Sequence, residues 1–220
     1  MGDTAILLDT EVNNLIDKDP IEVAWAYWEF DGCGVIHSRR FRPLGPISAG
    51  AALVHGILPC DLADQPPSSE AIEFVPRADY TIAHNVDFDW EVMGSPPSTK
   101  RICTLALARK VWPDFESHKL GALIYELRGF TPRTRDMLSN AHEAGADVGL
   151  LATVLDAIMG ALGLSTIESL WEASESARIP EVIRFGKHSG SRIEDLPSDY
   201  VRWLLNQDWL DPYMRMALES

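Results

Sequence analysis

Two rhythms of apolar and polar positions divide this chain. Ala5 to Leu8 is an unbroken apolar run that stops at Asp9, the pattern of a short buried strand. Ile21–Phe30 and Val35–Phe41 flank Asp31-Gly32, a turn pair, and predict a hairpin. Pro43, Gly45, Pro46 and Gly50 then predict a loop. Between Asp64 and Phe74 the pattern predicts a loop and a short helix starting near Ser68-Ser69. Tyr80–Ala83 predicts a second buried strand, closed by His84-Asn85, and Arg101–Cys103 a third, followed by a helix over Thr104–Val111. Leu120, Leu123, Ile124 and Leu127 keep helical spacing until Gly129. The most regular helix is Asp147–Leu162, with a stripe of Leu150, Leu151, Val154, Leu155 and Ile158 and with Gly163 just past its end. Strand, hairpin, strand, helix, strand and helices make an α/β protein, a mixed sheet flanked by helices.

From about Ser165 the texture changes. Short helices alternate with the compact block FGKHSGSRIEDLPSDYVRWLLNQ, and Pro180 interrupts the chain before it. We therefore expect a first domain over residues 1–164 and a small α-rich module over 165–220. There are no internal repeats and no low-complexity segment.

Composition sharpens this only in places. With 220 residues and 46% hydrophobic content, the chain can bury a sizeable core. No unbroken apolar run approaches the ~20 residues that span a bilayer, and the N-terminus enters a strand without a leader-like stretch. Cys33, Cys60 and Cys103 lie far apart, which suits reduced thiols and a cytoplasmic location. The net charge of -14 argues against a protein that grips nucleic acid over a broad face. The charge is uneven. Residues 1–99 carry 5 basic against 16 acidic side chains, and residues 100–220 carry 14 against 17. Lys100, Arg101, Arg109, Lys110, Arg133, Arg135, Arg184, Lys187 and Arg192 all fall in the second part, where an anionic ligand would be held.

Against that background four carboxylates stand out: Asp9 and Glu11 in AILLDTEVNN, Asp89 in TIAHNVDFDWEVM and Asp147 in NAHEAGADVGLL. Each ends or interrupts an apolar stretch, where an ionised carboxylate is costly unless something positive meets it. A divalent metal meets that need, and oxygen ligands suit Mg²⁺ or Mn²⁺ rather than Zn²⁺. Asp9 and Glu11 are two apart on a strand and so share a face. Their place at the carboxyl end of a central strand is where open α/β sheets put their sites. Two ions could activate a water and stabilise a leaving oxygen, as in phosphodiester cleavage, with Asp9 bridging them. His142 is the natural general base, because histidine ordinarily titrates near neutrality. Five residues would set His142 about 140° from Asp147 on a helix. His142 is therefore expected before the helix, on a loop loosened by Gly145.

DTE, then AHNVDFD, then His142 with Asp147 five places on, resembles the DEDDh family of 3′–5′ exonucleases in the DnaQ-like superfamily. ALVHGILPCDLADQP resembles that family's segment after the hairpin. RICTLALARKVWP and the closing FGKHSG and LPSDYVRWLL stretches are similar to its exodeoxyribonuclease X branch. The resemblance implies a ribonuclease H-like fold and hydrolysis of DNA from a free 3′ end, single-stranded or frayed, releasing nucleoside monophosphates, with a role in repair or end processing. It implies two Mg²⁺ ions on Asp9, Glu11, Asp89 and Asp147, with His142 as base and with Mn²⁺ able to substitute. Thr10, Leu15, His84 and Asn85 would be the substrate's neighbours. The chain departs from the family pattern in Val12-Asn13-Asn14, where Thr-Thr-Gly or similar is usual, and in Val148 after Asp147, where a small residue is usual. Both departures keep the residues that carry chemistry.

Plainer readings stand beside these. Asp87 reads as a solvated turn residue, His84 as a strand-end support, and His55 and His118 as loop histidines. Leu15 and Ile16 are either ordinary core or an apolar ridge against the terminal base pair. Phe88 reads as core, and Trp90 and Trp112 as core or rim packing, with stacking platforms for bases as the alternative. Arg184, Lys187, His188 and Arg192 could cradle phosphate, or belong to a small docked domain. An exoribonuclease or a polymerase-associated proofreading nuclease of the same superfamily would share these motifs. A catalytically inactive nucleic-acid-binding module would not need all five residues.

Overall fold

A computed structural model describes residues 3–30 and 32–220. Six strands form one sheet: β1 (Ala5–Val12), β2 (Pro20–Glu29), β3 (Gly32–Cys33), β4 (His37–Arg40), β5 (Tyr80–Ala83) and β6 (Lys100–Cys103). Their order is β3-β2-β1-β5-β6, with β4 also paired to β2. β1 runs antiparallel to β2 and parallel to β5, which is parallel to β6. The fold class is therefore as the pattern predicts. Asp31, half of the expected hairpin turn, lies outside the described residues, and Gly32 opens β3.

The helices in chain order are α1 (Ala49–His55), α2 (Ala71–Phe74), α3 (Val86–Val92), α4 (Thr104–Val111), α5 (Leu120–Arg128), α6 (Pro132–Met137), α7 (Ala144–Leu162), α8 (Ile167–Arg178), α9 (Ser198–Leu205) and α10 (Pro212–Glu219). Side-chain alternation on β1 splits the core into two layers. Ala5 and Leu7 join Ala24, Ala26, Ile82 and the α7 stripe on one face. Ile6, Leu8 and Val12 join Val23, Trp25 and Phe41 on the other. Asp9 and Glu11 continue the odd-numbered face of β1, toward α7, so sheet periodicity alone aims them at Asp147.

α7 carries enough apolar residues to qualify by length and composition as a membrane span, contrary to the reading by unbroken runs. Glycine and acid positions interrupt its runs without lowering the average. Its stripe is buried against β1, β2, α4 and α5, which accounts for the apolarity. Gly163 ends it at φ 64°, a left-handed conformation that costs glycine nothing.

Past the boundary expected near residue 165, α8 still packs on the main core. Leu170 of α8 is fully buried in the main core, with Ile167, Trp171 and Ala177 against it. Buried Ser174 accepts the backbone N–H of Cys103 at 2.8 Å and so covers the edge strand β6. A separate small cluster is built from Ile183, Ile193, Leu196, Leu204, Leu210 and Met214. The texture change at 165 coincides with a shorter, more polar helix.

Asp87 is a correction as well. It is half-buried and ion-paired to both Arg101 and Arg178, so it ties α3 to β6 and α8. Arg178, with only 5% of its side chain exposed, also bonds Glu175 at 3.1 Å and stacks its guanidinium 4.0 Å from the centre of the Tyr213 ring on α10. Removing this hub should leave Glu175 without its cation and Asp87 with Arg101 alone. Arg178→Met is expected to cost about 1–3 kcal/mol. For a chain of this size that is a fall in Tm of roughly 2–4 °C per kcal/mol, read by thermal unfolding. An unchanged Tm would show that the module docks by apolar contact alone.

Candidate active site

The site is assembled at the carboxyl end of β1. Asp9 and Glu11 are half-buried there, and Asp89 is buried on α3. Thr10 donates its hydroxyl to Asp89 Oδ1 at 2.8 Å and locks α3 to the strand. α3 starts at Asn85, held at φ 80°, a conformation that asparagine tolerates. Asp147 sits in the first turn of α7, where the helix dipole favours an anion. His142 lies before α7, exposed, at φ 74°. Its backbone N–H donates to Asp147 Oδ2 at 3.2 Å. The loop expectation for His142 therefore holds, but Gly145 lies inside α7, and the turn is made at His142 itself.

Ligand-type atoms of Glu11, His142 and Asp147 lie within 4.8 Å of one another. Asp9 and Asp89 fall outside that tight set and join it through charge. Burial, and then Asp89, Asp147, Glu11 and Glu22, raise the Asp9 carboxyl well above the usual range. Burial and then Asp147, Glu22 and Asp89 push Glu11 up to about 8. Burial pushes Asp89 up to about 7 against the bond from Thr10. Burial also raises Asp147, partly offset by His142. Among the described residues no lysine or arginine pairs with any of these four. Four acids that repel one another, faced by no cation of the chain, fit a divalent ion bound through oxygen.

Both ring nitrogens of His84 are engaged, Nδ1 with Thr104 Oγ1 at 3.0 Å and Nε2 with the His118 carbonyl at 2.8 Å. Burial drives its pKa down to about 4, so it is a neutral support for the ends of β5 and α4. Asn85 is exposed beside it. Leu15 and Ile16 are 75% and 92% exposed, so they are not core. Asn14 Oδ1 accepts the backbone N–H of both Ile16 and Asp17 at 2.8 Å, an Asx turn that pushes this apolar tip outward. Phe88 packs half-buried against the second core layer, and Trp90 and Trp112 are likewise half-buried.

Two residues near the site were given no part in it from sequence. Glu22 is buried opposite Glu11 in the β1–β2 register. It accepts Arg40 Nε at 3.1 Å and the Ala144 N–H at 2.9 Å, and so pins the start of α7. His55, read as a loop histidine, is buried at the end of α1. Burial lowers its pKa, and Nε2 has no partner among the described residues. The paired glutamates across a strand register were the available signal for Glu22. None marked His55.

A pH effect follows from the raised carboxyls. Their folded pKa values exceed their unfolded ones, so the stability they allow is present at low pH and lost as pH rises through about 7 to 8. Metal-free protein should lose Tm between pH 6 and 9, and added Mg²⁺ should raise Tm more at pH 8.5 than at pH 6. Equal Mg²⁺ shifts at both pH values would mean that the acids do not form one ion-binding cluster.

No protein-family model matches the sequence. Exodeoxyribonuclease 10 of Escherichia coli (strain K12) is 30% identical over 186 residues, 83% of this chain and 82% of that protein. A solved structure of exonuclease X in complex with 5′ overhanging duplex DNA is 28% identical, with a TM-score of 0.65 over 77% of this chain and 99% of that one. E. coli exonuclease I in complex with a dA16 oligonucleotide shares the fold at 17% identity, with a TM-score of 0.62 over 96% of this chain and 60% of its own. By fold and relationship, the chain belongs to the exodeoxyribonuclease 10 family.

Proposed function

We propose that this protein is a Mg²⁺-dependent 3′–5′ exonuclease that hydrolyses DNA to nucleoside monophosphates. The observation that carries the reading is the cluster of Asp9, Glu11, Asp89 and Asp147: burial raises all four carboxyls, neighbouring acids raise Asp9 and Glu11 further, and the cluster lacks a cation of its own. Those four carboxylates would hold two ions, with Mn²⁺ able to replace Mg²⁺. When bound, such a pair activates a water and neutralises the leaving oxygen of an in-line displacement. The relatives named for DNA work support DNA as the substrate.

The chain's residues have distinct tasks. After burial, the charges of acids on α3, α7 and its own strand raise the Asp9 carboxyl. Thr10 fixes the Asp89 carboxylate, and Glu22 with Arg40 fixes the helix that carries Asp147. His142, exposed and beside Glu11 and Asp147, takes the proton of the attacking water. The tip of Leu15 and Ile16 offers an apolar surface to the terminal base pair. Asn85 lies at the rim on the β5 side. Three free thiols suit a cytoplasmic enzyme, and repair or end processing is the role that such an activity fits.

The test is a digest of end-labelled single-stranded DNA, duplex DNA and RNA side by side with Mg²⁺. We expect stepwise loss of mononucleotides from DNA, stopped by a 3′-terminal phosphorothioate block. Degradation that ignores the block would refute the polarity. RNA digested faster than DNA would refute the substrate.

A further inference from the structure

The parallel strands give the site a neighbour. Leu7, Ile82 and Ile102 are level across β1, β5 and β6, so Asp9, His84 and Thr104 are level at the carboxyl edge. Two strand spacings along that edge, about 10 Å from β1, a cleft of about 560 Å³ opens between α4 and the C-terminal segment. Its wall begins at Asn85, the N-cap of the helix that carries Asp89, and continues through Arg109 and Lys110 to Arg184 and Phe185.

The charge of this cleft is unusual for a chain of -14. Its acids are spoken for. Asp87 is held by Arg101 and Arg178, Glu181 lies 4.0 Å from Lys110, and Asp211 caps α10 through the N–H groups of Tyr213 and Met214. Arg109 and Arg184 have no acidic partner among the described residues. Partial desolvation, followed by the charge of Arg184, lowers the pKa of Arg109, as two cations facing one gap should. Of the basic residues expected to grip an anion, Lys100 and Arg101 are already used by Glu168 and Asp87. Arg109 and Arg184 are therefore left free to meet an anion.

The cleft runs out onto an aromatic step. Phe185, Trp203 and Trp209 are 36%, 49% and 60% exposed. Phe185 and Trp209 lie 5.8 Å apart, Trp209 and Trp203 6.3 Å, and Trp203 stacks on Tyr200 at 5.4 Å. Gly186 sits at φ 67°, and a Cβ there would lie 2.7 Å from the Tyr200 hydroxyl, so the loop is pressed onto the step and fixes Phe185. Unpaired arginines leading to exposed flat rings are what a single strand needs: phosphates bind the cations and bases stack on the rings.

We propose that this cleft and its aromatic step bind single-stranded nucleic acid a few nucleotides upstream of the residue being removed. The inference rests on the exonuclease reading and gives the C-terminal segment its task of holding the strand that feeds the site. It also explains how so acidic a protein holds a polyanion, through a narrow track and not a broad face.

The test measures binding, separately from turnover. Oligonucleotides of two and eight nucleotides with the same free 3′ end are titrated by fluorescence anisotropy with Ca²⁺, across a salt series. Wild type should bind the longer strand more tightly. In Arg184→Ala and Arg109→Ala that gain should shrink, and the slope of log K on log salt should fall by about 0.7 for each phosphate that is no longer held. Trp209→Ala should cut the gain by about 5-fold or more, the usual effect of losing one stacked base. Arg202→Ala, an exposed charge outside the cleft, should keep the wild-type slope. All four sites are on the surface, and circular dichroism checks their folding. An equal length gain and slope in the cleft variants would overturn the proposal. So would a Trp209→Ala protein that loses self-association in sedimentation while binding DNA normally. If wild type releases no nucleotides, the exonuclease reading fails, and the length-dependent binding still decides the cleft.

Discussion

Asp9→Ala and Asp147→Ala are each expected to bring DNA hydrolysis down to background while the fold survives. Both side chains belong to the carboxylate cluster, Asp9 near the end of β1 and Asp147 in the first turn of α7. Removing either would leave the ions without a fixed separation. The charge stabilisation that metal ions supply is several kcal/mol, and losing it slows turnover by about 10³-fold or more. The fold should not suffer. Among the described residues the Asp9 carboxylate has no hydrogen-bond partner, and its negative charge opposes four neighbours. Metal-free Asp9→Ala should therefore melt at or above the wild-type temperature at pH 8, where the native acids are forced toward ionisation. Steady-state digestion and a melting curve on the same sample check both halves. Retained turnover would refute the site. Lost turnover with a collapsed fold would refute the argument that these acids strain the apo protein.

Why these acids could be read from sequence is itself physical. Metal chemistry needs carboxylates at strand ends and helix starts, and those places are set by local patterns. DTE after an apolar run, Asp89 beyond a second run and Asp147 opening an apolar helix each carry their own context. The sheet and most helices were legible for the same reason, since periods of two and of about 3.6 are local. What was not legible depends on partners far along the chain. Asp87 finds Arg101 and Arg178, 14 and 91 residues away, and no local pattern distinguishes that from a solvated turn. Glu22 lies inside a strand whose other positions look like ordinary core, and its role appears only when α7 sets Ala144 against it. α8 has polar faces because only one side meets β6 and α4. Ser48, which caps α1 through the Ala51 N–H at 3.1 Å, was the missed signal for that helix in a stretch where glycine and proline pointed to a loop.

His142→Ala should lower kcat by about 10²–10⁴-fold, the usual range for a general base, with little change in Mg²⁺ affinity. The structure makes the distinction sharp, because His142 is near enough to Glu11 and Asp147 to be a third ligand in their place. Its exposure argues for the base, since a group that moves a proton from water must face water. Its backbone complicates the variant. At φ 74° alanine is strained where glycine is not, and the same residue's N–H holds Asp147. A loss in His142→Ala could then come from a displaced loop that drags Asp147 with it. His142→Gly separates the two, because it removes the imidazole and keeps the turn. Equal loss in both variants, with Mg²⁺ affinity by calorimetry near wild type, assigns the defect to the imidazole. A collapse of affinity in both makes His142 a ligand. Near-normal turnover in His142→Gly beside a slow His142→Ala would mean that this residue serves catalysis only by shaping the turn into α7.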